Sequence, residues 1–180
     1  MYLIRHAQPR ERGIILGQKD VSIDPMLRGK VINGIHEHLP RNAKVISSPL
    51  LRTRETAELF GFEDYKVDER IAEMDLGHYQ GLRVSRETLE AINLLADNPD
   101  NNYHQGETFS NFYERVSNFF SEYKDDDNVI IFTHSGVIRL LLTKILKLEN
   151  YQYHPGYLDI IEIHPDKQSY NTIRTAISLV

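Results

Sequence analysis

Apolar residues recur along the chain with two different spacings, and together they predict alternating strands and helices. A short apolar run at 2–4 predicts a buried strand at 2–5, and the continuous apolar run at 129–133 is typical of a strand covered on both faces of a parallel sheet. Further strands are predicted at 44–47, 65–67, 158–163 and 172–179. The last of these alternates apolar and polar residues, as an edge strand does, while the pairing of the final two strands is left open.

Helices are predicted where apolar residues recur three and four positions apart. The clearest follows Thr108, a residue type that caps helices, and its apolar stripe continues to Tyr123. Other helices are predicted at 24–40, from 48 to 60, at 85–96 and from 135 onward. This alternation predicts an α/β protein: a three-layer α/β/α sandwich with a mostly parallel central sheet, formed by residues 1–180 as a single domain.

Composition narrows the functional classes. The 26 acidic and 21 basic side chains leave a net charge of −5, which argues against non-specific nucleic-acid binding. The absence of cysteine excludes disulfides and thiolate chemistry. No apolar run approaches the roughly 20 residues that a membrane-spanning helix needs. We therefore expect a cytoplasmic protein, with neither a signal peptide nor a membrane contact, whose partner is a small molecule drawn by a local cationic pocket.

Charged and imidazole side chains follow three of the predicted strands. Arg5 and His6 end the first strand, Arg52 lies shortly after the second, and His134 follows the strand at 129–133. Ligands of open α/β sheets bind at the carboxyl ends of the strands. With Glu73 from a glycine-containing loop, this set suits phosphoryl transfer, because cations neutralise phosphoryl oxygens, an imidazole attacks phosphorus and a carboxylate manages the leaving-group proton.

The same segments resemble a known family in order along the chain. Arg5-His6-Ala7 resembles the Arg-His-Gly signature of the histidine phosphatase (phosphoglycerate mutase-like) superfamily, in its small phosphatase branch. Further blocks that resemble the family lie at 47–57, 70–81, 106–108 and 133–139. The resemblance implies a phosphohistidine on His6, a phosphoryl group surrounded by Arg5, Arg52 and His134, and Glu73 as the proton donor. It also implies neither a metal nor any other cofactor.

Several positions depart from the family pattern. Ala7 replaces the usual glycine, and Gln8-Pro9 replaces a Glu-Thr or Glu-Ser pair. Arg12 stands where asparagine is frequent, so it supplies a third cation to the pocket or points to solvent. Tyr79-Gln80-Gly81 lies where Trp-Glu-Gly is common. These departures lie at the rim of the expected pocket, where substrate choice is determined.

The favoured function is a metal-independent phosphomonoesterase that hydrolyses a small phosphorylated metabolite. The segment 82–105 is short and offers few residues for a lid that would shield an intermediate from water. This favours hydrolysis over phosphoryl transfer of the phosphoglycerate mutase type. The third hypothesis is a catalytically silent module that binds phosphate. Ribazole phosphate, phosphoserine and sugar phosphates all remain open as substrates, as does the oligomeric state.

Other polar residues are assigned no part in the chemistry. Arg139 is expected in a structural ion pair, and Tyr157 is one of several tyrosines near the pocket that are open as leaving-group contacts. The remaining histidines are interpreted as surface, turn or loop residues: His36, His38, His78, His104, His154 and His164.

Overall fold

A six-stranded sheet forms the centre of the protein in the computed structural model, which describes residues 1–27, 38–149 and 153–173. Its strands are β1 (Tyr2–Arg5), β2 (Lys44–Ser47), β3 (Lys66–Val67), β4 (Val129–Thr133), β5 (Ile160–His164) and β6 (Ser169–Ile173). They lie in the order β3-β2-β4-β1-β5-β6. Strands β3, β2, β4 and β1 run parallel to one another, whereas β5 pairs antiparallel with both β1 and β6. The sheet is thus mostly parallel, as predicted.

Helices cover both faces of the sheet, because side chains of successive strand residues point to opposite faces. The helices are α1 (Leu51–Leu59), α2 (Arg86–Asn93), α3 (Phe109–Tyr123) and α4 (Ser135–Leu140). On one face Phe60, at the end of α1, packs with Ile4 and Phe132. On the other face Phe119 of α3 and Ile138 of α4 pack with the intervening strand residues. The α/β/α sandwich predicted from the sequence is therefore confirmed.

The register of β1 against β4 places two residues side by side at the edge where the site forms. Arg5 pairs with Thr133, so His6 and His134 leave neighbouring strands at the same level. The backbone N–H of His6 donates to the carbonyl of Thr133 at 3.0 Å. On the other side of β4, the N–H of Ser48 donates to the carbonyl of Phe132 at 3.0 Å. Three segments that are far apart in sequence therefore meet at one point.

Local chemistry explains where the helices begin. The Thr108 side chain accepts a hydrogen bond from the N–H of Asn111, which confirms it as the cap of α3. The helix predicted from 48 begins at Leu51 instead, because residues before it stay extended. The carboxylate of Asp20 accepts from the N–H of Leu51 at 2.6 Å, so a distant loop satisfies this helix start.

Two predicted elements differ from the structure. The helix predicted over 24–40 is represented by a short 3-10 turn at Pro25–Leu27, and residues 28–37 lie outside the described part. The final strand begins at Ser169 rather than 172, because the turn at Pro165–Lys167 brings Ser169 opposite His164. Its predicted continuation beyond 173 lies outside the described residues. Within the described ranges, no helix is both long and apolar enough to span a bilayer.

Candidate active site

Two histidine rings form the centre of the site. The rings of His6 and His134 lie with their centroids 5.2 Å apart and are tilted by 59°. Both residues are buried, with 4% of His6 and none of His134 exposed. The register of β1 against β4 explains this proximity, since the two residues follow paired strand ends.

Hydrogen bonding defines the tautomer of His6. Its Nδ1 lies 2.7 Å from the carbonyl oxygen of Ala7, and a carbonyl only accepts, so Nδ1 carries the proton. Burial, followed by the charges of Arg52 and Arg5, lowers the pKa of His6 well below its ordinary value. The ring is therefore neutral near pH 7, with a lone pair on Nε2 that is able to act as a nucleophile.

His134 is held by a neighbouring strand end. Its Nε2 lies 2.7 Å from the hydroxyl of Ser48, and its Nδ1 has no hydrogen-bond partner among the described residues. Burial, followed by Arg52 and other nearby charges, lowers the pKa of His134 well below its usual range. It lies beside the His6 ring but does not line the cavity onto which His6 opens.

Two arginines, Arg52 buried and Arg5 partly buried, supply positive charge beside His6. One guanidinium, that of Arg5, donates to the carbonyl of Pro155 at 2.6 Å and lies 3.8 Å from the centre of the Tyr157 ring. The other, that of Arg52, donates to the carbonyls of Lys19 and Gly17 at 2.9 and 2.7 Å. Burial lowers the pKa of both arginines, yet a guanidinium stays charged in proteins. Such a pair is suited to bind a phosphoryl group through several donors.

Glu73 reaches the same cavity across the start of α4. Its Oε2 accepts from the N–H of Gly136 at 3.0 Å, and its Oε1 accepts from the N–H of Met74 at 3.1 Å. A Cβ at position 136 would lie only 2.1 Å from Oε1, so glycine is required for this approach.

A partly buried ion pair that the sequence did not predict holds the loop of Glu73. Arg115, on α3, donates to the carbonyls of Arg70 and Ala72 at 2.8 Å and to that of Glu73 at 3.1 Å. The same guanidinium makes two bonds, of 2.5 and 2.8 Å, to the carboxylate of Glu107. The only sequence signal for this role was the block at 106–108, because nothing in helical spacing indicates a contact between 73 and 115.

Around these groups lies a cavity of about 650 Å³. Arg5, His6, Arg52 and Glu73 line it together, so four of the five predicted site residues share one cavity. Arg139 and His154 also line it. Arg139 was expected in a structural ion pair and His154 in a turn, so both lie closer to the site than predicted.

The departures from the family pattern have structural explanations. The backbone N–H of Ala7 donates to the hydroxyl of Thr56 at 2.9 Å, and the Ala7 methyl packs in the core. Arg12 forms an ion pair with Asp24 on the surface. Its guanidinium therefore adds no third cation to the cavity.

Two further polar residues serve the loops beside the site. The amide oxygen of Gln80 accepts from the N–H groups of Gln18 and Lys19 at 2.5 and 3.2 Å, which supports the loop that contacts Arg52. His104 is buried, and its Nε2 lies 3.1 Å from the carbonyl of Glu107, away from the cavity lining. Among the described residues, no three imidazole or carboxylate groups converge as metal ligands would.

Known proteins resemble this chain in sequence and in fold. A family model described as histidine phosphatase superfamily (branch 1) matches residues 1–175. The chain is 30% identical over 183 residues to the protein named "Putative phosphoserine phosphatase 2" of Hydrogenobacter thermophilus, with 91% of this chain and 88% of that protein covered.

Solved structures show the same fold. One is phosphoglycerate mutase from Thermus thermophilus, with a TM-score of 0.67 at 22% identity over 99% of this chain and 95% of that one. Another is mycobacterial glucosyl-3-phosphoglycerate phosphatase, with a TM-score of 0.67 at 23% identity over 89% of this chain and 87% of that one.

Proposed function

The chain belongs to the histidine phosphatase superfamily, branch 1, and on this premise we propose that it is a metal-independent phosphomonoesterase. It hydrolyses a small phosphorylated metabolite through a phosphohistidine intermediate on His6, and residues 1–180 act as one domain. The observation that carries the proposal is the neutral His6 ring. Its Nδ1 proton is directed to the Ala7 carbonyl, and the ring lines the same cavity as the guanidiniums of Arg5 and Arg52.

The first half-reaction transfers the phosphoryl group to the enzyme. Nε2 of His6 attacks phosphorus, a P–N bond forms, and the bond from phosphorus to the leaving oxygen breaks. Arg5 and Arg52, which line the cavity, bind the phosphoryl oxygens and stabilise the charge of the transition state. His134 is proposed as a further phosphoryl contact, because its ring lies beside that of His6 although it does not line the cavity. The protonated carboxyl of Glu73 gives its proton to the leaving oxygen, so that an alcohol departs rather than an alkoxide.

The second half-reaction returns the enzyme to its starting state. Glu73, now a carboxylate, takes a proton from a water molecule whose oxygen attacks phosphorus. The P–N bond breaks, inorganic phosphate leaves, and the electron pair returns to Nε2 of His6. Every step uses side chains of this chain, so the reaction needs no metal ion.

Hydrolysis is preferred over phosphoryl transfer to a second metabolite for two reasons. The 30% identical relative is named as a phosphatase, and residues 82–105 are a short segment to shield an intermediate from water. A silent phosphate-binding module is less favoured, because such a module needs neither a nucleophile nor an acid. We expect the purified protein to release phosphate from p-nitrophenyl phosphate with EDTA present.

The nucleophile is tested by rapid quenching with a ³²P-labelled substrate. Wild type should accumulate acid-labile label on histidine, and His6→Asn should lose both label and turnover. The matched control is His38→Asn, since His38 is exposed and outside the site. Normal turnover in His6→Asn would refute the assignment, whereas loss of wild-type activity on chelation would refute metal independence.

The same preparation separates the alternatives. Label that passes to an added phosphoglycerate faster than to water would establish a mutase. Binding of phosphate or vanadate without any turnover would establish a silent module. For the acid, Glu73→Gln should slow hydrolysis of alkyl phosphates by about 10²–10⁴-fold, with the exposed Glu63→Gln as control.

A further inference from the structure

The cavity at the site has two unlike sides. One side carries the charged groups that the proposed chemistry uses. The lining beyond these groups is mainly apolar, with Ile14, Val84, Leu89, Ile92 and Phe109 among its residues, although Asn93, Asp97 and Lys144 also belong to it. A volume of about 650 Å³ exceeds the needs of a phosphoryl group alone, so the apolar side bounds space for the rest of a substrate.

The helix that forms part of this wall is amphipathic and packs only in part against the core. Leu89 and Ile92 of α2 are three positions apart, on one face, whereas Arg86 and Glu90 form an exposed ion pair. None of the eight residues of α2 is buried. An amphipathic helix ordinarily buries its apolar stripe against the protein. Ile92 packs against the core cluster that contains Phe112, and both Leu89 and Ile92 line the cavity, so the stripe of α2 covers the cavity as well as the core.

Several wall residues still have large exposed fractions. Val84 is 47% exposed and Leu89 is 46% exposed, although both line the cavity. The wall is nonetheless anchored, because Leu95 follows α2 and is buried in the cluster that contains Phe112. The Ser85 capping box fixes the other end of the helix. An anchored apolar surface beside the reacting groups is suited to receive an apolar ligand.

We propose that the leaving group of the substrate is apolar, an alkyl or aryl group that lies against Val84, Leu89 and Ile92. This inference rests on the proposed phosphatase function and names its substrate class. The phosphoryl group lies against Arg5, His6 and Arg52, at the charged side. The leaving group of phosphoserine carries an ammonium and a carboxylate, which would lose hydration against Val84, Leu89 and Ile92 without gaining a partner from them. Polar residues such as Asp97 and Lys144 also line the cavity, so binding of phosphoserine there is the alternative outcome of the test.

The test is a homologous series of primary alkyl phosphates from propyl to octyl, compared with O-phosphoserine. Their leaving-group basicity is nearly constant, so chain length changes mainly the buried apolar area. Each methylene that the wall covers should raise kcat/KM by about fourfold until the wall is filled. Hexyl phosphate should exceed phosphoserine by more than tenfold.

Variants assign the effect to the wall. Leu89→Asn should flatten the dependence of kcat/KM on chain length. Leu94→Asn is the matched control, because Leu94 is 51% exposed and does not line the cavity, and it should keep the wild-type slope. Circular dichroism and thermal melting verify that both variants fold, which is expected for exposed positions.

Binding of alkylphosphonates, measured by calorimetry, distinguishes a failure of the proposed substrate class from a failure of the proposed phosphatase function. These compounds are not hydrolysed, so their affinity reports the wall even without turnover. A flat chain-length dependence of both affinity and kcat/KM, or a preference for phosphoserine over hexyl phosphate, would overturn the apolar substrate class while the phosphatase stands. Absence of turnover with every phosphomonoester would overturn the proposed function, and the substrate class with it.

Discussion

Replacing Gly136 with alanine should displace the carboxylate of Glu73 while leaving the stability of the fold nearly unchanged. Gly136 lies in the first turn of α4, and its N–H donates to the carboxylate of Glu73. An added Cβ would lie 2.1 Å from Oε1 of Glu73, whereas real Cβ contacts essentially never fall below 3.0 Å. The carboxylate must therefore move by about 1 Å or rotate away, and a displacement of about 1 Å is enough to cost about 10²-fold in rate.

The fold should tolerate the same substitution. Gly136 has no left-handed backbone angle that would exclude alanine, and alanine in a helix is favoured over glycine by about 1 kcal/mol. That gain offsets part of the strain at the new contact. We expect the free energy of unfolding of Gly136→Ala to stay within about 1 kcal/mol of wild type, since this gain is of that size.

The assay compares kcat for an alkyl phosphate and for p-nitrophenyl phosphate, with urea unfolding measured on the same samples. The loss should be about 10²-fold for the alkyl ester and smaller for the nitrophenyl ester, whose leaving group needs less protonation. The double variant Gly136→Ala/Glu73→Gln should be no slower than Glu73→Gln alone, because both changes remove one function. A folded Gly136→Ala variant with wild-type kcat on alkyl phosphates would refute the reasoning.

Three further predictions follow from contacts around the site. Arg115→Met should lower the free energy of unfolding by about 1–3 kcal/mol, because it leaves the partly buried carboxylate of Glu107 without its ion-pair partner. It should also lower kcat, because the loop of Glu73 loses a contact. Adding Glu107→Gln should recover part of the stability, and additive losses in urea unfolding would contradict this. Burial and nearby arginines lower the pKa of His6 and His134, so stability should be complete above pH 6.5 and decline below it by up to about 1.4 kcal/mol per pH unit for each histidine, since the unfolded rings bind protons that the folded rings do not. Equal free energies of unfolding at pH 7.5 and 5.5 would be inconsistent with that linkage. Thr108→Ala should destabilise α3 by about 1 kcal/mol without a change in kcat, and Thr108→Ser should behave like wild type in thermal melting.

Much of the fold followed from local patterns. The apolar runs at 2–5 and 129–133 are strands because residues covered on both faces are uniformly apolar, and the stripe after Thr108 is a helix of the predicted length. The start of the last strand was misjudged, because Ser169 belongs to it through pairing with His164 rather than through its own pattern.

The residues of the candidate site were likewise predicted only in part from the sequence. Arg5, His6 and His134 were recognisable because they directly follow strands, and parallel strands present their carboxyl ends at one edge. The glycine at 136 and the arginine at 115 were not assigned to Glu73, although they contact it across 63 and 42 positions of the chain. Periodicity reports only which face of an element a residue occupies.

By itself, then, the sequence determined the α/β class, the order of the elements and which charged residues end the strands, because each depends on residues close together in the chain. Only the tertiary structure decided that β1 lies next to β4, that Arg115 supports the Glu73 loop and that α2 turns its apolar face toward the cavity. Those features depend on packing between distant segments. The contacts that complete the site and the wall proposed to select its substrate exist only once the chain has folded.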